Sequence, residues 1–142
     1  TPYPAPRRVA NGVDTGRVLQ ILAVLEKRIG LNLSKQDVYV NVIGGIDVNE
    51  PAADLGIALA IVTCVRDVVF DSHTAIVGEI GLSGEIRAVN HIEKRITEAQ
   101  KLGFKRIIIP AANEVQEEIQ GIEVVKVKRI LEAITRGVGN KE

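Results

Sequence analysis

Few side chains in this sequence have the type and spacing to do chemistry. The histidines are His73 and His91, and the one cysteine is Cys64. His73 sits in the polar run Asp71-Ser72-His73-Thr74 and His91 follows Asn90, so both read as solvated positions. Cys64 falls inside an apolar helical run and reads as a small core residue of a reducing compartment. Two histidines and a buried thiol cannot furnish the usual ligands of a structural zinc site. No serine, histidine and carboxylate assemble into a nucleophilic set, and no Walker A or G-x-G-x-x-G sequence occurs. Gly78-Glu79-Ile80-Gly81-Leu82-Ser83-Gly84 is glycine-rich. It falls in a hairpin pattern rather than between a strand and a helix, which argues against a phosphate cradle.

What remains is cationic. Arg7, Arg8 and Arg17 lie near the start, Lys27 and Arg28 at the end of the first helical stripe, and Arg87, Lys94 and Arg95 around the third helix. Arginine suits phosphate because its planar fork donates two hydrogen bonds at once. The Arg7-Arg8 pair, in an extended segment, is the best placed to meet a nucleic-acid backbone. The competing reading is a set of solvated faces balanced by Glu26, Glu85, Glu93 and Glu98. Lys+Arg and Asp+Glu are 18 each, so net charge is zero. That excludes a grip on nucleic acid by total charge, though not a local basic patch. With two Tyr, two Phe and no Trp, no platform for stacking bases is visible, so any such contact would be to the backbone and indifferent to sequence.

These residues need a scaffold. A chain of 142 residues fits one domain, and 46% apolar content with few aromatics implies an aliphatic core. Three prolines in the first six residues read as an extended linker. The expected organisation is linker 1–7 following an upstream domain, one domain over 8–137, and a fraying tail over 138–142. No apolar run is long enough to span a bilayer.

The central stretch is Asp47 to Val65, a polar loop passing through Pro51 into an almost wholly apolar helix, which predicts a helix buried on all sides. Asn49 or Glu50 would cap it. Before it, Arg7–Ala10 reads as a short edge strand, and Asn11-Gly12 as a turn. A helix capped by Asp14 or Thr15 carries Val18, Ile21, Leu22, Leu25 and Ile29 to a stop at Gly30, and Asp37–Ile43 reads as a strand. After it, Ala75–Ile80 reads as one strand, turning at Gly81–Gly84 into a hairpin partner, Glu85–Val89. Asn90 and Glu93 match a capping box for a third helix with an inner stripe of Ile92, Ile96 and Ala99. A strand over Phe104–Pro110, a short polar helix over Asn113–Ile119, a strand over Ile122–Val127 and a helix over Arg129–Arg136 complete the pattern. Alternating strands and helices predict an α/β (α+β) layered sandwich with helices packed on a mixed sheet.

Gly78 to Arg87, followed by Lys101 to Pro110 and Asn113, resembles the proteolytic domain of the Lon family, with its G-E-x-x-L-[ST]-G-E core, helix, Pro-ended strand and nearby Asn. The resemblance runs from about Arg8 to Ile134. It implies a Ser–Lys dyad position by position. The family's serine stands in a G-P-S-A-G stretch, matched here by Glu50-Pro51-Ala52-Ala53-Asp54, so Ala52 takes the nucleophile position. The family's lysine stands two residues after a Gly-Gly pair, matched here by Asn90-His91-Ile92-Glu93, so Glu93 takes the base position. A methyl group cannot attack a carbonyl, and a carboxylate there has no hydroxyl to activate. Lys94 is about 100° round the helix from that point. The resemblance therefore implies a pseudo-protease.

Among Lon-like domains without the dyad, the sequence is similar to the C-terminal domain of RadA-type (Sms) bacterial DNA-repair proteins. Pro6-Arg7-Arg8, Leu25-Glu26-Lys27-Arg28, Asp37 to Gly45 and Pro51-Ala52-Ala53-Asp54-Leu55 carry that similarity. It implies a parent protein with a zinc finger and a RecA-like ATPase core using ATP and Mg2+, and a DNA-dependent branch-migration helicase. It also implies a homo-hexameric ring, sequence-independent contact with single- and double-stranded DNA, partnership with recombination proteins such as RecA, and a cytoplasmic location without membrane contact. Two alternatives stand beside it. One is an assembly scaffold that makes no DNA contact. The other is a peptide-binding remnant of the protease, using Gly44-Gly45-Ile46 and the hairpin edge.

Overall fold

The computed structural model describes residues 8–11, 15–30, 38–41, 51–66 and 68–137. Linker 1–7, tail 138–142, Asp14, Gly44-Gly45, the expected caps Asn49 and Glu50, and the side chains of Arg8 and Cys64 lie outside what is described. The fold is α/β, with both parallel and antiparallel strand pairs. Strands β1 (Arg8–Asn11) and β2 (Val38–Asn41) pair in parallel, Arg8 opposite Val38. Parallel neighbours need a crossover, and helix α1 (Thr15–Val24) lies between them in the chain. Its stripe of Val18, Ile21, Leu22 and Leu25 is buried, as its spacing predicts. The helix then widens into a π-helical turn, Leu25–Ile29, and ends at Gly30 in the left-handed conformation.

A 3-10 turn, Pro51–Ala53, leads into helix α2 (Asp54–Arg66). Leu55, Ala58, Leu59, Ile61 and Val62 are deeply buried. The helix is not covered on every side: Ala60 is exposed, and Gly56 and Thr63 are half-buried. These residues are small, so leaving them near water forfeits little apolar burial.

The main sheet has the order β3-β6-β7, all parallel: β3 (Thr74–Ile76), β6 (Arg106–Pro110) and β7 (Glu123–Val127). Side chains alternate across it. Ile108, Val125 and Val127 join one core with α1, α2 and helix α4 (Ile130–Gly137). Ile107 and Ile109 join a second core with Ile92, Ile96 and Ala99 of helix α3 (Ile92–Lys101).

Three local expectations need correction. First, Ala75–Ile80 is not one strand. The chain leaves β3 at Val77 and pairs again as β4 (Glu79–Ile80) with β5 (Ile86–Arg87), antiparallel. The break is Gly78, whose N–H donates to Ala52 O at 2.9 Å and whose carbonyl accepts from Leu55 N at 3.0 Å. A Cβ there would stand 2.9 Å from Ile86 Cγ2, so only glycine lets the backbone reach the start of α2. Second, the α3 capping box does not form. His91 is the N-cap, with φ 55° and no side-chain cap bond, and Asn90 accepts from Arg95 through both its carbonyl and its side chain at 2.8 Å. Third, residues 113–119 are irregular rather than helical. Val115 and Ile119 pack on the α3 core, and Asn113 is spent on the backbone of Val89.

The Asn113 clamp generates a prediction. Buried Asn113 accepts from Val89 N at 3.0 Å and donates to Val89 O at 2.9 Å, pairing with it as a strand would. Asn113→Ala leaves both groups without partners and is expected to lower unfolding free energy by about 1–3 kcal/mol. Urea denaturation checks it; an unchanged midpoint would mean that the clamp contributes nothing.

Candidate nucleic-acid interface

The turn between β4 and β5 is built around one carboxylate. Glu85 Oε1 accepts from the Ser83 hydroxyl at 2.7 Å and from Ser83 N–H at 3.2 Å, while Oε2 lies 3.4 Å from the Arg87 guanidinium. The carboxylate lies over Gly81, where a side chain would displace it. Gly84 takes φ 84°, which glycine adopts without penalty, and its N–H donates to Gly81 O at 3.0 Å. The glycine-rich motif is thus spent on closing a turn, as its hairpin reading predicts.

That turn is sewn to the start of α4. Gly84 O accepts from Ile130 N at 3.2 Å, Lys128 O accepts from Ile86 N at 2.9 Å, and Glu85 and Arg129 form an antiparallel bridge. The Arg129 guanidinium donates to Ser83 O at 3.1 Å. The stem of Arg28 lies against Gly84, its Cγ 3.4 Å from where a Cβ would stand. Arg28, Arg87 and Arg129 therefore gather on one turn with exposed side chains, and exposed Lys128 adjoins them. From there a shallow groove runs along α4, lined by Lys128, Arg129, Leu131, Glu132, Thr135 and Arg136. Glu132 is partly committed, accepting from Lys128 N at 2.7 Å.

The sequence-derived candidates divide. Lys27 and Arg28 end the α1 segment, and the stem of Arg28 lies on Gly84 of this turn, which also carries Arg87 through Glu85. Arg17 is elsewhere: its side chain is 23% exposed and its Nε lies 3.5 Å from Asp54 Oδ1. Asp54 is buried, accepts from Ile80 N at 3.2 Å, and ties α1, α2 and β4 together. Burial pushes its carboxyl pKa up, and the Ile80 N–H and Arg17 oppose that. Lys94 is exposed on α3, which packs on the other face of the sheet, and Arg95 holds Asn90. Arg7 lies outside the described residues, and Arg8 is described only as a strand residue of β1. Ala52 is 5% exposed and Glu93 half-buried. Lys128 and Arg129 were not among the sequence candidates; the only signal was their place between a strand and a helix start.

Comparison with known proteins gives two findings. A family model described as subunit ChlI of Mg-chelatase matches residues 14–113. DNA repair protein RadA of Bacillus subtilis is 47% identical over 140 residues, 98% of this chain and 31% of that protein. RadA of Synechocystis is 50% identical over 134 residues, and RadA of Escherichia coli 44% over 130. The chain thus spans about a third or less of the curated relatives it matches. No described helix is long and apolar enough to cross a membrane, and among the described residues no cluster of His, Cys, Asp and Glu could hold a metal ion.

The turn makes a pH prediction. The Ser83 hydroxyl is the main force lowering the Glu85 pKa from the ordinary 4.5 to about 2, aided by the Glu85 and Ser83 backbone N–H groups and by Arg87. A depressed acid stabilises fully above its unfolded value, so the staple is complete above about pH 4.5 and is lost as pH falls toward about 2. NMR titration of the Glu85 carboxyl carbon should give a midpoint near 2, and Ser83→Ala should raise it. A wild-type midpoint near 4.5 would mean that the staple does not form.

Proposed function

The chain belongs to the family described as subunit ChlI of Mg-chelatase, and from that membership and the RadA likeness along nearly its whole length we propose that it is a non-catalytic, Lon-like module of a RadA-type DNA-repair protein. Its task is sequence-independent contact with the nucleic-acid backbone, on a ring assembled from copies of the whole protein. ATP hydrolysis, Mg2+ and zinc belong to the rest of that protein. The observation that carries the contact role is the convergence of Arg28, Arg87 and Arg129 on one stapled turn. The Arg87 and Arg129 guanidinium groups, held by a carboxylate and a backbone carbonyl, lose little side-chain entropy on meeting phosphate. A neutral chain with one such patch binds weakly alone, and ring copies convert weak contacts into avidity.

The Lon-like, inert reading has its own support. Ala52, at the nucleophile position, is packed in the 3-10 turn with its carbonyl bonded to Gly78 N. His91 keeps a left-handed backbone where the Lon pattern has glycine, the one non-glycine residue with positive φ among those described.

Fluorescence anisotropy of a labelled single strand and duplex over a salt series tests the role. Arg28→Gln/Arg129→Gln should weaken binding by about tenfold or more and reduce the salt slope by about two, one for each phosphate that the removed cations neutralise. Lys101→Gln/Lys105→Gln, at exposed cations away from the turn, should behave as wild type. Equal binding by both double variants would reject the placement.

A further inference from the structure

The tip of the same turn carries Leu82, 65% exposed. A lone exposed leucine is ordinary on a protein surface; its position is what distinguishes this one. Ser83, the next residue, has its N–H and O–H held by Glu85 and its carbonyl held by Arg129. Gly81 N donates to Glu85 O at 2.9 Å, closing the base of the tip. The apolar side chain therefore stands on a fixed loop whose other residues engage three arginines: Ser83 O accepts from Arg129, Glu85 pairs with Arg87, and the stem of Arg28 lies against Gly84. Among the described residues, none covers it.

That pattern, one rigid apolar point among cations, fits a polyanion with apolar layers inside, which is what a nucleic acid is. The cations disfavour a neutral apolar protein surface as the occupant, since they would lose water without gaining partners. We propose that Leu82 is a wedge that inserts between neighbouring bases at a junction of paired and unpaired strand, while Arg28, Arg87 and Arg129 hold the flanking phosphates. This rests on the backbone-contact reading above and adds to it an action on the bases. Apolar side chains that insert between base steps unstack them and kink the duplex. A junction, where stacking is already interrupted, is the cheapest place for it.

The test uses a forked DNA with 2-aminopurine at the junction, read for fluorescence and for anisotropy in the same titration. Wild type should raise 2-aminopurine fluorescence by about twofold or more as it binds, because unstacking relieves quenching of the base. Leu82→Ser should keep affinity within about threefold, the phosphate contacts being intact, and lose the rise. The chain has no tryptophan. In Leu82→Trp, indole fluorescence should therefore be quenched by the fork and the indole protected from acrylamide. A full rise in Leu82→Ser, or an indole that stays accessible at saturating fork, would overturn the wedge and leave backbone contact standing. Absence of any binding by wild type would remove both. Loss of self-association by Leu82→Ser in sedimentation, with the 2-aminopurine rise unchanged, would make the tip a contact between copies and overturn the wedge.

Discussion

The Glu85 carboxylate is the constraint on which the candidate interface depends. It satisfies the Ser83 N–H and O–H, lies over Gly81 and engages Arg87, so a four-residue turn has one shape rather than many. From that shape follow the meeting of Gly84 O with the first N–H of α4 and of Ser83 O with Arg129. The cations then sit at defined places at little further entropic cost. The carboxylate also pairs with Arg87, which offsets part of the positive charge gathered on the turn. Glu85 is the counter-ion, and it points into the turn toward Ser83 as well as toward Arg87.

The hairpin is fixed at its other end by Gly78 and Asp54. Gly78 exchanges backbone hydrogen bonds with Ala52 and Leu55, and Asp54 accepts from Ile80 while facing Arg17. The start of α2, where the Lon pattern would place a nucleophile, is thus a structural junction of α1, α2 and β4. The Ala52 carbonyl, the Leu55 N–H and one Asp54 oxygen are engaged in joining elements, while Asp54 Oδ1 is buried facing Arg17 without a hydrogen bond among the described residues. The far end of the hairpin, where it meets α4, carries exposed Arg87, Lys128 and Arg129.

Much of this was legible in the sequence, for physical reasons that differ by element. Helices α1, α3 and α4 bury one stripe each, and β6 and β7 are dense in β-branched residues, so period and propensity point to one answer. The split of Ala75–Ile80 was hidden because Gly78 is required by a neighbour more than twenty residues earlier in the chain, not by its local pattern. The 113–119 segment carries helix-compatible residues, yet Asn113 is bound to Val89 across 24 positions and the apolar side chains fill the core under α3. Asn90 and Glu93 have capping spacing, but the Arg95 side chain occupies Asn90 instead. The basic turn was half visible. Arg28 and Arg87 could be named, but that the Arg28 stem reaches Gly84, and that Arg129 reaches Ser83 across 46 positions, is a product of the fold.

The most direct measurement is an amide chemical-shift map of the 15N-labelled protein titrated with a short DNA of arbitrary sequence. Shifts concentrated at residues 82–87 and 128–131, saturating together and reversed by salt, are the expected result. Shifts confined to Lys94, Arg95 and the rest of α3, or an unperturbed 82–87 turn at saturation, would contradict the placement of nucleic-acid contact on this turn.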